Sequence, residues 1–257
     1  MMVTTSEQPT AGQVERAKHL ADKLKLTYAH RGKITLKQLS EKWQCDRFVR
    51  VDREGYQLVG PRQAPFYFHP SMAYIRVQRM MQGDWSDGLC RASEAETGDH
   101  VLDCTMGLAS DSIVFSYLTG QQGRVTALEA EPVIHAIVQE GLARYTTEEA
   151  DINDAMRRIV CVQQDHQSYL QAQPDNSQDI VYFDPMFRKT DVASASMSPL
   201  RDIADHRPLS LAVVEEAQRV ARKCVVMKES RYSKEFERLG FHRIIPSGKT
   251  AYGVIRL

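Results

Sequence analysis

The sequence predicts an α/β protein. Its main domain is expected to be a mostly parallel seven-stranded sheet that ends in a C-terminal antiparallel hairpin, with a small α+β module in front. Three observations support this fold class. From residue 100 onward, short apolar runs alternate with segments of helical periodicity. The last two apolar runs are separated only by the short turn at residues 246–251. The front of the chain instead has hairpin-like alternation flanked by helical segments.

The front module is expected at residues 1–82. Ala17, Leu20 and Leu24 recur at helical spacing, which predicts a helix over residues 13–26. The remaining patterns predict a strand at residues 3–5, a helix at 35–43, a hairpin at 48–59, a turn at 60–65 and a helix at 71–81.

The main domain is expected at residues 83–257. The apolar runs predict strands at residues 101–102, 124–128, 159–162, 180–183, 224–227, 243–245 and 252–255. Helices are expected between the first five of them, at residues 111–118, 132–144, 166–172 and 209–222. Strand and helix in repeated alternation indicate a parallel sheet with helices on both faces.

Composition narrows the class of protein. A chain of 257 residues that is 42% hydrophobic and 26% charged can bury a full core. Its longest apolar runs fall well short of the ~18 residues that span a bilayer, and residues 1–10 lack the features of a signal peptide, so we expect a cytoplasmic protein that does not enter membranes. Five widely spaced cysteines without a C-x-x-C pair argue against disulfides and against a metal site.

Charge is distributed unevenly along a chain whose formal net charge is zero. Residues 1–82 hold 14 Lys and Arg against 7 Asp and Glu, whereas residues 83–257 hold 19 against 26. A basic module joined to an acidic body is typical of a protein that holds a polyanion at one end. Solvated helix faces explain the same lysine spacing equally well, and both interpretations stay open.

Carboxylates follow the predicted strands at the places where an open α/β sheet binds ligands. Residues 103–111 form a turn from Asp103 through Gly107 to Asp111 and lead into a helix. This turn has one glycine where the dinucleotide fingerprint requires three, which favours an adenosyl sulfonium over a pyrophosphate. Glu129, 26 residues after Asp103, can accept both ribose hydroxyls. Asp165 can accept from the adenine amino group.

Asp184, Pro185, Met186 and Phe187 follow the fourth strand directly. The Asp184 carboxylate and the carbonyl before the rigid turn are hydrogen-bond acceptors, and Phe187 is a stacking surface. Such a set suits a planar amine, for example the exocyclic nitrogen of a nucleobase. Alone the segment is a strand followed by a turn, and each acidic residue alone is a helix cap. Carboxylates after four consecutive strands favour a nucleoside-type cofactor instead.

These motifs resemble class I S-adenosylmethionine-dependent methyltransferases of Rossmann-like fold. Residues 101–111, 129–144, 181–187 and 225–229 more closely resemble the RsmJ family, which methylates a guanine N2 in small-subunit ribosomal RNA. The resemblance covers about residues 95–257. The front module is similar to an extension carried by a Gram-positive branch of such proteins.

The resemblance implies roles for particular residues. It implies cofactor contacts at Ser110, Asp111, Glu129, Ala130, Asp165, His166 and Asp184, and we add Asp103 and Gly107 from the turn. Asp184, Pro185 and Phe187 are expected at the catalytic centre. Substrate contacts are expected from Arg188, Lys189, Lys228 and, in the polar stretch 190–208, Arg201. The family tends to have Arg in place of Ser110 and Pro-His in place of Arg188 and Lys189, and the second difference leaves the acceptor open.

The expected function is therefore methyl transfer to an exocyclic amine, with guanine N2 of ribosomal RNA as the main candidate. RNA, as free ribosomal RNA or as a small subunit, is the expected partner. The same acceptors also suit a protein amide, a DNA adenine or a small molecule. A non-catalytic RNA-binding assembly factor that retains the fold is a further alternative. A nicotinamide oxidoreductase is disfavoured by the missing glycines.

Overall fold

The computed structural model describes residues 1–185 and 207–257. The predicted site residues Phe187, Arg188, Lys189 and Arg201 lie outside these ranges. The described chain packs into two compact units, one formed by residues 1–69 and 131–145, the other by residues 70–130, 146–185 and 207–257. The domain boundary expected after residue 82 stays a prediction; in packing, residues 70–82 group with the second unit.

The strands of the described ranges are β1 (Met2–Thr5), β2 (Phe48–Val51), β3 (Tyr56–Gly60), β4 (Gln63–Tyr67), β5 (His100–Asp103), β6 (Arg124–Glu129), β7 (Val160–Gln163), β8 (Gln178–Phe183), β9 (Ala221–Ser230), β10 (Arg243–Ser247) and β11 (Thr250–Arg256). The helices are α1 (Ala11–Leu24), α2 (Leu36–Trp43), α3 (Ser71–Met81), α4 (Gly88–Ser93), α5 (Ser110–Thr119), α6 (Pro132–Arg144), α7 (Ala150–Arg158), α8 (His166–Gln171), α9 (Leu211–Val220) and α10 (Glu235–Arg238).

The first unit is a four-stranded sheet in the order β1-β2-β3-β4, in which β1 runs parallel to β2 and the other pairs are antiparallel. Its first two helices begin at matching capping boxes, in which Thr10 pairs with Gln13 and Thr35 with Gln38. The predicted turn at residues 60–65 is confirmed only at Pro61 and Arg62, since β3 runs to Gly60 and β4 begins at Gln63. Pro65 is tolerated there because β4 is an edge strand.

The second unit contains the seven-stranded sheet, in the order β10-β11-β9-β8-β5-β6-β7. Strands β5 to β9 are parallel, and β11 is antiparallel to both β9 and β10. This confirms the predicted mostly parallel sheet with its terminal hairpin. The central strands are buried through consecutive residues, as in Val101-Leu102 and residues 180–183, which explains their continuous apolar runs.

Three helices of this unit, α4, α7 and the four-residue α10, were not predicted. α4 is only six residues long, and α7 buries Ile152, Ala155 and Met156 within an otherwise polar sequence, so neither has a long apolar stripe. The predicted helix at 209–222 is too long. It ends at Val220, and β9 begins at Ala221.

The strand order reverses between β5 and β8, so connections leave these neighbours in opposite directions. Their carboxyl ends therefore form the crevice at which such sheets bind ligands. Among the helices of residues 1–185 and 207–257, none is both long and apolar enough to cross a membrane. Within the same ranges, no group of three or more His, Cys, Asp or Glu side chains is arranged to hold a metal ion.

Candidate active site at the carboxyl edge of the sheet

Asp103 ends β5 and shapes the turn that follows. Its Oδ1 accepts a hydrogen bond from the Thr105 amide at 3.0 Å, and its Oδ2 accepts one from the Ser112 hydroxyl. The side chain is 1% exposed. Burial raises the pKa of Asp103 to about 7, against the opposing effect of these two donors. Asp103, predicted to contact the cofactor, thus uses both oxygens within the turn.

The turn after Asp103 is bound to both neighbouring strands. The Cys104 amide donates to the backbone carbonyl of Tyr182 in β8 at 2.9 Å, and the Met106 amide donates to the backbone carbonyl of Leu128 in β6 at 2.8 Å. Gly107 has a φ of 49° and the buried Ala109 has a φ of 60°, and both angles are left-handed. For alanine this conformation costs roughly 1–2 kcal/mol, a strain that is characteristic of functional turns. α5 begins immediately after it, at the partly exposed Ser110.

The ends of β6 and β7 carry the next predicted residues. Glu129 and Ala130 are partly exposed, and the Glu129 carbonyl accepts from the Gln164 amide at 3.1 Å. Asp165 caps α8 through Oδ1, which accepts from two backbone amides, while Oδ2 accepts from Arg207 at 2.9 Å. These donors hold the pKa of Asp165 below its usual value although burial acts in the opposite direction. The His166 ring packs edge-on against Phe183, 6.0 Å between centroids.

Asp184 lies one residue beyond β8 and is tied to two other parts of the site. Its amide donates to the Thr105 hydroxyl, and its Oδ2 lies 2.7 Å from the Lys228 ammonium. Its side chain keeps 27% of its surface exposed, and Pro185 after it is also partly exposed. Burial raises the pKa of Asp184 and the nearby Asp111 raises it further, whereas Lys228 lowers it.

Asp111 contacts three other side chains of the site. Its Oδ1 pairs with Arg76, while its Oδ2 accepts from the Tyr182 hydroxyl at 2.8 Å and from Lys228 at 3.1 Å. Burial acts to raise the pKa of Asp111, but Lys228 and Arg76 together outweigh it and hold the pKa below its usual value. The resemblance implies a cofactor contact at Asp111. In the structure, both oxygens of this carboxylate accept hydrogen bonds from side chains of the protein itself.

Arg76 was not predicted to belong to the site. Its guanidinium makes two hydrogen bonds to Asp87, at 2.8 and 3.0 Å, in addition to its pair with Asp111. Asp87 is fixed in turn because it caps α4. One signal in the sequence does point to Arg76. It is a charged residue next to the buried stripe that Ala73, Val77 and Met80 form on α3.

Tyr182 is the other residue that sequence reasoning missed. It is fully buried inside β8, where a phenol needs a hydrogen-bond partner. A tyrosine within a buried apolar strand is therefore a detectable signal for a polar contact. Among the predicted residues, the structure brings Asp184, Lys228 and Asp111 into direct contact, and it places Glu129, Ala130, Asp165 and His166 at the ends of β6 and β7.

A doubly wound sheet with carboxylates after four successive strands defines the class of Rossmann-like proteins that bind a nucleoside cofactor at the carboxyl edge. A family model described as "Putative SAM-dependent methyltransferase" matches residues 22–254. The chain belongs to this family and is an S-adenosylmethionine-dependent methyltransferase, which confirms the predicted family and cofactor. Across 99% of both chains it is 38% identical to "Uncharacterized protein YpiP" of Bacillus subtilis (strain 168).

Other relatives carry a more specific name. The chain is 34% identical to Ribosomal RNA small subunit methyltransferase J of Laribacter hongkongensis over 51% of this chain and 46% of that protein. It is 26% identical to the protein of the same name from Buchnera aphidicola (strain Tuc7), over 52% of this chain and 54% of that protein. The chain thus matches about half the length of these relatives.

A solved structure shows the same fold over the whole chain. The SAM-dependent methyltransferase NGO1261 from Neisseria gonorrhoeae is matched over 100% of this chain and 96% of that chain, with a TM-score of 0.69 and 17% identity. At this identity the likeness concerns the fold alone, and it agrees with the predicted Rossmann-like architecture.

The residues at this edge fit S-adenosylmethionine. A Cβ at Gly107 would meet only the Thr105 carbonyl, at 4.0 Å, so the turn leaves open space beside its backbone. The partly exposed Glu129 offers the oxygens that ribose hydroxyls require, and Asp165 offers an acceptor for an amino group. Contacts of the cofactor with these residues and with Ser110, Ala130 and His166 stay predictions. The bound cofactor would supply a methyl group on a positively charged sulfur.

Proposed function

We propose that the protein methylates the exocyclic N2 of a guanine in small-subunit ribosomal RNA. The observation that carries the proposal is the Asp184 carboxylate, which follows β8, precedes Pro185 and keeps part of its surface exposed at the edge where the cofactor binds. The relatives named Ribosomal RNA small subunit methyltransferase J support the RNA acceptor.

Asp184 would act on the amine that receives the methyl group. The nitrogen forms a bond to the methyl carbon while the bond from that carbon to sulfur breaks, and the nitrogen then loses one proton. An Asp184 oxygen that accepts a hydrogen bond from the amine holds the nitrogen lone pair in line and is a local acceptor for that proton. Little further acid or base chemistry is needed because the leaving group is already activated, so orientation provides most of the rate enhancement.

The remaining predicted residues would hold the RNA. We assign Phe187 to stacking on the base, and Arg188, Lys189 and Arg201 to the phosphates or the base edge. Lys228, predicted to contact substrate, lies against Asp184 and keeps 22% of its side-chain surface exposed. We assign the basic front segment to the RNA backbone, since residues 23–42 hold six Lys and Arg against one Glu.

The proposal is tested with the full-length protein and S-adenosylmethionine carrying a tritiated methyl group. Small ribosomal subunits, free ribosomal RNA, total protein and DNA serve as separate acceptors, and labelled RNA is digested and its nucleosides identified by mass spectrometry. The expected product is N2-methylguanosine in small-subunit RNA. Label in protein or DNA alone would reject the RNA acceptor, and N6-methyladenosine would reject guanine.

The role of Asp184 is tested by Asp184→Ala, with Asp154→Asn on the exposed face of α7 as the matched control. We expect the first variant to lose transfer by at least ~100-fold, the lower range for one positioned acid–base group, while it binds S-adenosylmethionine within a few-fold in calorimetry. The control should behave as the wild type. Full activity of Asp184→Ala would remove Asp184 from the mechanism.

A further inference from the structure

We propose that Lys228 and Arg76 form a two-cation clamp that positions the Asp184 carboxylate for the acceptor amine, with Lys228 in direct contact and Arg76 acting through Asp111. This makes Arg76 a positioning residue that lies far outside the sequence motifs. The inference rests on the proposed role of Asp184.

The contacts of Lys228 define the first half of the clamp. Its ammonium lies 2.7 Å from Asp184 Oδ2 and 3.1 Å from Asp111 Oδ2, so one cation is shared between two carboxylates. Lys228 holds Oδ2 of Asp184 and limits the rotation of the carboxylate. Within residues 1–185 and 207–257 no donor to Oδ1 is found, so we assign Oδ1 to the substrate amine. A charge-assisted contact of this kind is stronger and more directional than a neutral one.

The contacts of Arg76 define the second half. The guanidinium binds Asp87 with two hydrogen bonds on one side and Asp111 on the other, and its side chain is 15% exposed. Asp87 cannot shift freely because it also accepts from the Leu89 and Cys90 amides at the start of α4. Arg76 therefore reaches Asp111 in one orientation.

Charge balance explains why both cations are needed. Asp111 and Asp184 each carry a negative charge and share Lys228. Arg76, which is also bound to Asp87, compensates part of the Asp111 charge, so Lys228 can stay on Asp184. Without Arg76, Asp111 would have only Lys228 as a cationic partner and would compete with Asp184 for it. A carboxylate that loses its partner in a buried site must take up a proton or move.

The sign of the pH effect follows from the groups that face Asp184. These are Lys228 on β9, Asp111 on α5, Arg76 on α3, Asp103 on β5 and Tyr182 on β8, with Asp87 and Tyr252 acting on the two cations. The two cations lower the pKa of Asp184 while burial and the neighbouring acids raise it. Loss of either cation should therefore raise the pKa of Asp184 and move the acid limb of the rate profile to higher pH.

The test measures Asp184 itself, without any substrate. Full-length protein is labelled with ¹³C at the Asp carboxyl carbons, the Asp184 signal is assigned by its loss in Asp184→Asn, and its titration is followed by NMR. We expect Arg76→Met and Lys228→Met each to raise the pKa of Asp184 by about one pH unit or more. Arg76→Lys and Lys228→Arg should restore most of the difference, because the charge is retained.

Arg79→Met is the matched control, since Arg79 lies on the exposed face of the same helix, α3. It should leave the titration unchanged. An Asp184 titration that is the same in Arg76→Met as in the wild type, at unchanged circular dichroism, would overturn the role of Arg76. If Arg76→Met does not fold, an unchanged titration in Lys228→Met overturns the clamp by itself. If the pKa of Asp184 shifts as expected but the protein does not methylate RNA, the clamp is supported and the proposed acceptor is rejected.

Discussion

Asp103 couples the protonation of one buried side chain to the stability of the fold. Its pKa is raised to about 7 by burial, so the folded protein binds this proton more tightly than the unfolded chain does, whose Asp pKa is ~3.9. The stabilising effect is complete below about pH 4 and is lost as pH rises through about 7. The turn that carries Gly107 and Ala109 is thus built on a carboxyl group that prefers to be neutral.

Asp103→Asn should remove this pH dependence. Asparagine can accept from the Thr105 amide and donate to the Ser112 hydroxyl, so it keeps both partners without a charge. The free energy of unfolding of the variant should exceed that of the wild type by on the order of 4 kcal/mol at pH 8, but by only about 1.5 kcal/mol at pH 5. Urea unfolding at both pH values measures this. An equal gain at pH 5 and pH 8 would show that Asp103 does not titrate in this range.

Most of the strands and helices could be predicted from the sequence, but some could not. The seven main strands were predicted from their apolar runs, which the central strands bury and the edge strands β7 and β10 bury only in part. The predicted starts of α1 and α2 lie within two residues of the observed starts. β4 was missed because its sequence around Pro65 contains turn residues, and tertiary pairing with β3 decides its state. These are cases in which non-local contacts outweigh local propensity.

The site residues likewise fall into those that the sequence could predict and those that it could not. The strand-end carboxylates could be found because one topological rule places them at the same edge. Arg76 and Tyr182 could not be placed by spacing, since their partner Asp111 is 35 residues from the first and 71 from the second. The family resemblance implies a role for Lys228, yet the contact of Lys228 with Asp111 joins residues 117 positions apart. Such pairs exist only once the sheet has formed.

Helix α6 offers a prediction at the scale of one element. A Cβ added to Gly141 would overlap Cβ and Cγ of Phe68, which is itself buried and packs edge-on against Tyr145 at 5.9 Å. Gly141→Ala gains about 1 kcal/mol of helix propensity, but overpacking costs about 1–3 kcal/mol and the overlapping atoms are close to the Phe68 backbone. We expect lower stability in urea unfolding.

The matched substitution is Gly12→Ala in α1, where an added Cβ meets nothing within 4 Å. It should be neutral or stabilising by up to ~1 kcal/mol, because alanine has fewer conformations to lose on folding. Equal effects of the two substitutions would mean that Phe68 moves aside at little cost. The comparison therefore separates close packing from helix propensity.

The charge pattern of the whole molecule bears on how the protein would hold the proposed RNA substrate. A net charge of zero gives no long-range attraction, so binding of the proposed RNA substrate would depend on the basic front of the chain. Lys33 and Lys37 are exposed in the segment between α1 and α2 and at the start of α2. If these two lysines contact RNA phosphates, each contact releases counterions from the RNA. The affinity for RNA then falls as the salt concentration rises.

Lys33→Gln combined with Lys37→Gln should weaken binding of ribosomal RNA and reduce the slope of log affinity against log salt by about 1.4 to 1.8, at ~0.7 to 0.9 per phosphate contact. The control combines Arg124→Gln, at the start of β6, with Arg157→Gln, at the end of α7, so net charge changes equally. Filter binding from about 50 to 200 mM salt measures both slopes. If the two double variants have equal salt slopes, RNA affinity depends on net charge alone. A binding surface that includes Lys33 and Lys37 requires a smaller slope in the first variant than in the control.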